Sequence, residues 1–263
     1  MFGFQPAIIR VGGFDSSKTH PGQTETPLRV LSTYELAFFT KDGGTVYMNG
    51  QEYAIKKNCV LMGRPGDIRW NKLHFQCKSV HFLANNPALL PMLDLIPQFF
   101  EPADIDALLA LFDRMHEAFK TEDRFSGIIS ASRLCELLWQ LYKSGGQEKR
   151  QRNRNPVRKA VRLIVEDYNQ NISVEQMAEV CGWSASHFHK VFVKEMGMPP
   201  NRYLMLTRLS AAKTMLIAGE RTVTQVAELC GFSSQAYFCR CLKKFTGLTP
   251  RQLRQKSKWA DEI

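Results

Sequence analysis

A long-period internal repeat restricts what this chain can fold into more tightly than any other feature. The segment SVEQMAEVCGWS (173–184) aligns with TVTQVAELCGFS (222–233) at an offset of 49 residues. After a one-residue insertion the offset becomes 50, so Phe188 matches Phe238, Lys190 matches Arg240, Lys194 matches Lys244, Gly197 matches Gly247 and Pro200 matches Pro250. Chance similarity does not hold a register over that distance. Two copies of one supersecondary unit do.

Each copy carries the parts of a helix-turn-helix in a physically sensible order. Ser173 and Thr222 can cap a helix, and Gln176 and Gln225 three residues later complete a capping box. The small Ala178 and Ala227 allow helices to cross closely. Gly182 and Gly231 stand just past the first helix, where a sharp turn needs a left-handed residue. A second helix then begins at Ser184 or Ser234. Its buried face is Phe188 with Phe192 in one copy and Phe238 with Leu242 in the other, at i, i+4 spacing.

The outer face of that second helix is the candidate reading surface: Ser186, His187, His189 and Lys190 in the first unit, Gln235, Ala236, Cys239 and Arg240 in the second. Arginine matches guanine O6 and N7 in a DNA major groove, glutamine matches adenine N6 and N7, and small alanine and cysteine suit a thymine methyl. Lys194, Lys243 and Lys244 lie a turn further on and suit phosphates, which position without specifying sequence. On one isolated helix such a polar face is ordinarily just solvated. The units are joined by Asn201–Ala218, a helical pattern of roughly 17 residues and about 25 Å. That is somewhat short of the roughly 34 Å between successive major-groove faces of B-DNA, so two readers could reach neighbouring grooves with some bending of the duplex.

Charge supports the same partner. Residues 1–143 hold 15 Lys+Arg against 15 Asp+Glu, and residues 144–263 hold 20 against 10, so the whole net charge of +10 lies in the C-terminal part. Clustered Lys and Arg release counterions from a phosphate backbone, and double-stranded DNA is the expected partner. A membrane surface is the competing polyanion, but no apolar run approaches the roughly 18 residues of a spanning helix. Met1-Phe2-Gly3-Phe4 opens no signal-peptide pattern, and a cytoplasmic location is expected. The seven cysteines (Cys59, Cys77, Cys135, Cys181, Cys230, Cys239, Cys241) are odd in number and contain no CxxC pair. Most sit in apolar patterns, where a free cysteine acts as a small hydrophobe.

The N-terminal half reads differently. Residues 1–25 look irregular. Short β-rich runs follow at Tyr34–Phe39, Thr45–Met48, Glu52–Ile55, Cys59–Met62, Ile68–Trp70 and Phe75–Phe82, with Asn49-Gly50 as a type I′ hairpin turn, so an antiparallel meander or small barrel is expected. Between Pro87 and Tyr142 the period becomes helical, and Leu134, Leu138 and Leu141 form a stripe on Arg124–Lys143. That stripe packs on the barrel or on an identical helix of a second subunit. Residues 144–154 are polar, Gly-containing and basic, and are placed as a linker. A helix then starts with Asn155 as N-cap and Pro156 at the first position, with Val157, Ala160, Val161, Ile164 and Tyr168 on one face.

The stretch AELCGFSSQAYFCRCLKKFTGLTPRQLR (227–254) resembles the C-terminal signature of the arabinose-regulator (AraC/XylS) family of bacterial transcription regulators, and residues 155–256 resemble that family's whole DNA-binding domain. Departures are Cys239 and Cys241, where the family often has Ser and an apolar residue, and Leu242, where Phe is common. The resemblance implies an N-terminal cupin-like barrel that binds a small effector and supports dimers. PLRVLSTYELAFFTKDGG (27–44) and GQEYAIKKNCVLMGRPGDIRW (50–70) are similar to such a barrel.

Cupin enzymes hold iron, manganese or nickel with an HxH pair, a Glu and a later His. Here Arg29–Leu31 occupy the HxH region, Arg69 the later His position, and only Glu35 matches, so no metal, cofactor or catalytic residue is expected. This weakens the alternative of a metal-dependent cupin enzyme fused to a DNA-binding domain. His74, His81 and His116 are scattered without ligand spacing. Another alternative, a DNA-repair methyltransferase type of regulator, needs paired reactive cysteines, and Cys59, Cys77 and Cys135 are unpaired in spacing. Glu35, Arg69, Asn71, Ser79 and His81 could instead hydrogen-bond a polar effector such as a sugar, or Glu35 and Arg69 could simply pair with each other.

The expected architecture is α+β: residues 1–143 a cupin-like β-barrel with helices for sensing and dimerisation, 144–154 a basic linker, and 155–263 an all-α domain with two tandem helix-turn-helix units. What the resemblance implies is an effector-responsive activator of sugar or related metabolic genes, homodimeric and acting with RNA polymerase.

Overall fold

The computed structural model describes residues 6–19, 22–84, 87–144 and 156–254. They fall into two compact units, Met1–Asn155 and Pro156–Ile263. The expected linker at 144–154 lies, apart from Ser144, outside the described residues, as does the expected N-cap Asn155. No helix among the described residues is long and apolar enough to cross a membrane.

Among its described residues the first unit holds nine strands: β1 (Ala7–Asp15), β2 (Arg29–Val30), β3 (Tyr34–Phe39), β4 (Thr45–Met48), β5 (Gln51–Ala54), β6 (Val60–Gly63), β7 (Ile68–Lys72), β8 (Gln76–Leu83) and β9 (Phe99–Phe100). They form two antiparallel sheets, β1-β8-β3-β6-β9 and β2-β7-β4-β5, rather than one closed barrel. The six expected strands are present within two residues. Residues 1–25 are not all irregular as expected, because β1 pairs with β8 from Ala7↔Leu83 to Asp15↔Gln76. Gly12-Gly13 blurs the alternation there, and the strand exists through a partner more than sixty residues away.

Alternation in β3 divides the core. Leu36 and Phe38 point with Val80 and Phe82 toward α3 (Ile105–Lys120) and α4 (Ser126–Ser144), where Leu108, Leu111, Phe112, Met115, Leu134, Leu137, Leu138 and Leu141 close a single apolar cluster. The stripe on α4 therefore packs within its own chain. Ala37, Phe39 and Cys77 point the other way, onto Val46 and Met48 of the second sheet. Every residue of β3 is buried, because helices cover one face and a sheet the other. Each such fully buried large apolar side chain contributes about 1.5–3 kcal/mol.

The Asn49-Gly50 turn has φ of 53° and 76°, the double left-handed geometry of a type I′ hairpin between β4 and β5. Asn49 is also buried. Its Nδ2 donates to Asp67 Oδ1 at 2.8 Å and its Oδ1 accepts from the Ile68 amide at 2.9 Å, so the turn residue also ties the hairpin to the start of β7.

In order along the first unit, α1 is Ser16–Thr19 and α2 is Leu90–Leu95. The second unit is helical: α5 (Val157–Asp167), α6 (Val174–Glu179), α7 (Ala185–Met196), α8 (Pro200–Ala218), α9 (Val223–Leu229) and α10 (Gln235–Thr246). The 19 residues of α8 span about 28 Å. Its start packs Tyr203 edge-on against Phe192 at 5.4 Å. Its later residues Leu209, Ala212 and Leu216 join Val226, Ala227, Phe238 and Leu242, so one helix serves both cores.

Candidate functional site

In the first unit, Glu35 on β3 lies 3% exposed between the two sheets. Its Oε2 accepts from Arg69 Nη1 at 2.6 Å and its Oε1 from Arg29 Nη2 at 2.6 Å, both arginines coming from the second sheet, where they stand opposite each other on β2 and β7. His81 Nδ1 is 3.4 Å from Oε1. Arg69 Nε donates to Asn71 Oδ1 at 3.0 Å, and the Asn71 amide donates to Thr26 Oγ1 at 2.8 Å. Four of the five expected effector residues thus form one network. The Ser79 side chain, opposite Ala37 on β8, takes no part in that network among the described residues.

Burial pushes the Glu35 carboxyl up, but the charges of Arg69, Arg29 and His81 outweigh it and hold the group at about 2. Burial pushes His81 down, with Glu35 pulling the other way. Arg29 and Thr26 were not expected in this cluster. Arg29 was read only as an occupant of the HxH region, and which side chain it pairs with depends on how β2 of the second sheet faces β3 of the first. Among the described residues no three His, Cys, Asp or Glu side chains are grouped to hold a metal.

In the second unit the two repeats share one hydrogen-bond plan. Ser173 Oγ accepts from the Gln176 amide at 3.2 Å while the Ser173 amide donates to Gln176 Oε1 at 2.8 Å. Thr222 and Gln225 do the same at 3.2 and 2.9 Å. Gly182 and Gly231 both have φ of +73°, and the next amide, of Trp183 or Phe232, donates back to Ala178 or Ala227 at 3.0 Å. Ser184 and Ser234 cap α7 and α10 through the amides of His187 and Tyr237. Gly197 and Gly247 end them, left-handed at 71° and 74°.

With Phe188, Phe192, Phe238 and Leu242 buried, the residues half a turn away face water. Ser186, His187, His189, Lys190 and Lys194 are exposed on α7, and Gln235, Ala236, Arg240, Lys243 and Lys244 on α10.

A helix-turn-helix domain family matches residues 157–256. The second unit is an AraC-type DNA-binding domain. Over 87 residues, 33% of this chain, it is 38% identical to an uncharacterized HTH-type transcriptional regulator of Staphylococcus aureus (strain COL). Over 95 residues, 36% of this chain and 45% of the relative, it is 33% identical to the bifunctional transcriptional activator/DNA repair enzyme AdaA of Bacillus subtilis (strain 168). The chain spans only 12% of the length of the staphylococcal relative. Beyond the AraC-type domain, the crystal structure of ToxT from Vibrio cholerae with an unsaturated fatty acid bound covers 96% of both chains, with a TM-score of 0.55 at 14% identity. That is a likeness of fold.

Within the AraC-type domain, α7 and α10 differ in ways the repeat alone did not show. Cys239 is not on the open face with Arg240. It is half-buried against the cluster of Phe238 and Leu242, because 100° of helical rotation from Phe238 leaves it on the core's flank. Gln235 Oε1 accepts from Thr224 Oγ1 of the preceding helix at 2.7 Å. The His187 ring stands edge-on to Trp183 at 4.9 Å. Tyr237, 40% exposed, occupies the outward position that His187 holds in the first copy. Sequence reasoning passed over it, although the offset of 50 aligns the two.

Proposed function

We propose that this chain is a transcription regulator that reads double-stranded DNA with both helix pairs, α6–α7 and α9–α10, acting as tandem helix-turn-helix units. The observation that carries the reading is the shared cap, turn and terminator geometry of the two pairs, each leaving a basic outward face (Lys190 with Lys194; Arg240 with Lys243 and Lys244). Side chains at Ser186, His187, Lys190, Ala236, Tyr237 and Arg240 meet base edges, and Lys194, Lys243 and Lys244 meet phosphates.

The N-terminal unit serves as a cupin-like sensor whose Glu35–Arg69–Asn71–His81 network is the site of a small-molecule effector, and it holds a homodimer together. Binding of the effector alters DNA affinity and recruitment of RNA polymerase, in the direction of activating sugar or related metabolic genes. ToxT is a protein of this fold with a small organic molecule bound, which supports a sensing role for such a unit.

The test is anisotropy titration of the full chain with duplex DNA over a range of salt. The logarithm of the association constant should fall linearly with the logarithm of salt concentration, with a slope near 0.9 per phosphate neutralised. Salt-independent binding overturns the reading.

A further inference from the structure

We infer that the ionic cluster between the sheets is an anion site, and that the effector it takes carries a carboxylate. The inference rests on the proposed reading of this cluster as an effector site and adds its chemistry. The cluster is unbalanced. Arg29 and Arg69 stand opposite each other on β2 and β7, and both spend their charge on the single carboxylate of Glu35. On the next strands, Arg10 of β1 is the register partner of His81 on β8, which is in turn the partner of Glu35 on β3. One row across the sheet therefore runs Arg10, His81, Glu35, with Arg29 and Arg69 reaching in from the other sheet. Arg29, Arg69 and His81 thus lie on the one carboxylate of Glu35, and a third guanidinium, of Arg10, stands one strand beyond His81. Among the described residues, Glu35 is the only carboxylate within ion-pair distance of any of them, and Arg10 has no ion-pair partner at all.

Position decides which of these groups a ligand meets. Arg69 is buried, with its fork committed to Glu35 and Asn71. Arg29 keeps 48% of its side chain exposed, Arg10 is exposed, and His81 is partly open. On the β6 side of Glu35 the space is filled, since a Cβ built on Gly63 would meet Leu31 at 2.5 Å and Met48 at 3.6 Å. The ligand's charged end therefore lies at the rim, against Arg10, Arg29 and His81, with Glu35 holding Arg29 in place from behind. A planar guanidinium pairs with a carboxylate through two parallel hydrogen bonds, which a neutral hydroxyl cannot reproduce.

The experiment measures the melting temperature of the full chain with sodium butyrate or with butyramide, its neutral isostere, at matched ionic strength. Butyrate raises the melting temperature and butyramide does not. Arg10→Gln and Arg29→Gln, both at exposed positions that leave the core intact, each reduce the butyrate shift, and the double variant abolishes it. Equal shifts with the two compounds, no shift, or a butyrate shift that survives in the double variant overturns the anion site. A neutral polyol whose stabilising effect is lost in Glu35→Gln but kept in the Arg10→Gln, Arg29→Gln double variant would retain the effector site while removing its anionic ligand.

Discussion

Glu35 and Arg69 meet across the gap between the two sheets, Oε2 to Nη1 at 2.6 Å, with side chains only 4% and 5% exposed. The pair joins strands that share no backbone hydrogen bonds. Removing Arg69 leaves the buried Glu35 carboxylate with half-exposed Arg29 as its remaining guanidinium partner, and removing Glu35 leaves buried Arg69 without its counter-charge. Arg69→Leu should therefore cost about 3–5 kcal/mol in urea denaturation, whereas the Glu35→Leu, Arg69→Leu double variant should recover most of that loss. Additive losses would show that the pair is not the connection between the sheets.

The same pair dictates an acid response. The Glu35 carboxyl is held at about 2 in the folded chain against an ordinary 4.5, so folding is favoured by its ionised form. Its contribution is complete above pH 4.5 and is lost as pH falls toward 2. In denaturation of the full chain across that window, Glu35→Gln should flatten the fall in stability. A wild-type slope retained in the variant would assign the acid response to other carboxylates.

The two turn glycines share a conformation but not a neighbourhood. At φ of +73° both resist a side chain, yet a Cβ on Gly182 meets nothing within 4 Å, while one on Gly231 would lie 2.5 Å from the Asn169 carbonyl oxygen. Gly182→Ala should cost about 1–2 kcal/mol, the left-handed penalty alone. Gly231→Ala should cost more, since backbone must move as well, and thermal denaturation of the two variants ranks them.

On DNA, Arg240→Ala should lose about 1–3 kcal/mol on the proper operator and relax preference at one base pair, whereas Lys194→Ala should weaken all sequences alike. Footprinting on variant operators separates the two. Equal losses of the Arg240 variant on specific and random duplexes would take that residue off the reading surface.

Tyr237, rather than Cys239, should contribute to operator contact. With its thiol against the core, Cys239→Ala should leave base preference unchanged, and Tyr237→Ala should lower operator affinity with unchanged helical circular dichroism. A preference shift in the cysteine variant would mean that α10 turns when it meets DNA.

The sequence by itself determined the features whose causes are local. A capping box needs residues three apart, a helix stop needs one left-handed glycine, and a buried stripe needs the helical period. Ser173 with Gln176, Thr222 with Gln225, Gly182, Gly231 and the Phe188–Phe192 pair were therefore legible at sight. Tertiary structure decided whatever depends on a distant partner. It made a strand of Ala7–Asp15 by supplying β8, and it brought Arg29 from the second sheet onto Glu35. It also turned the α4 stripe inward, set Cys239 partly against the core, and gave the exposed Gln235 a hydrogen bond from Thr224. Hydrogen bonds and ion pairs across a gap between sheets depend on which strands the chain brings together, and nothing within a few residues of Glu35 encodes that.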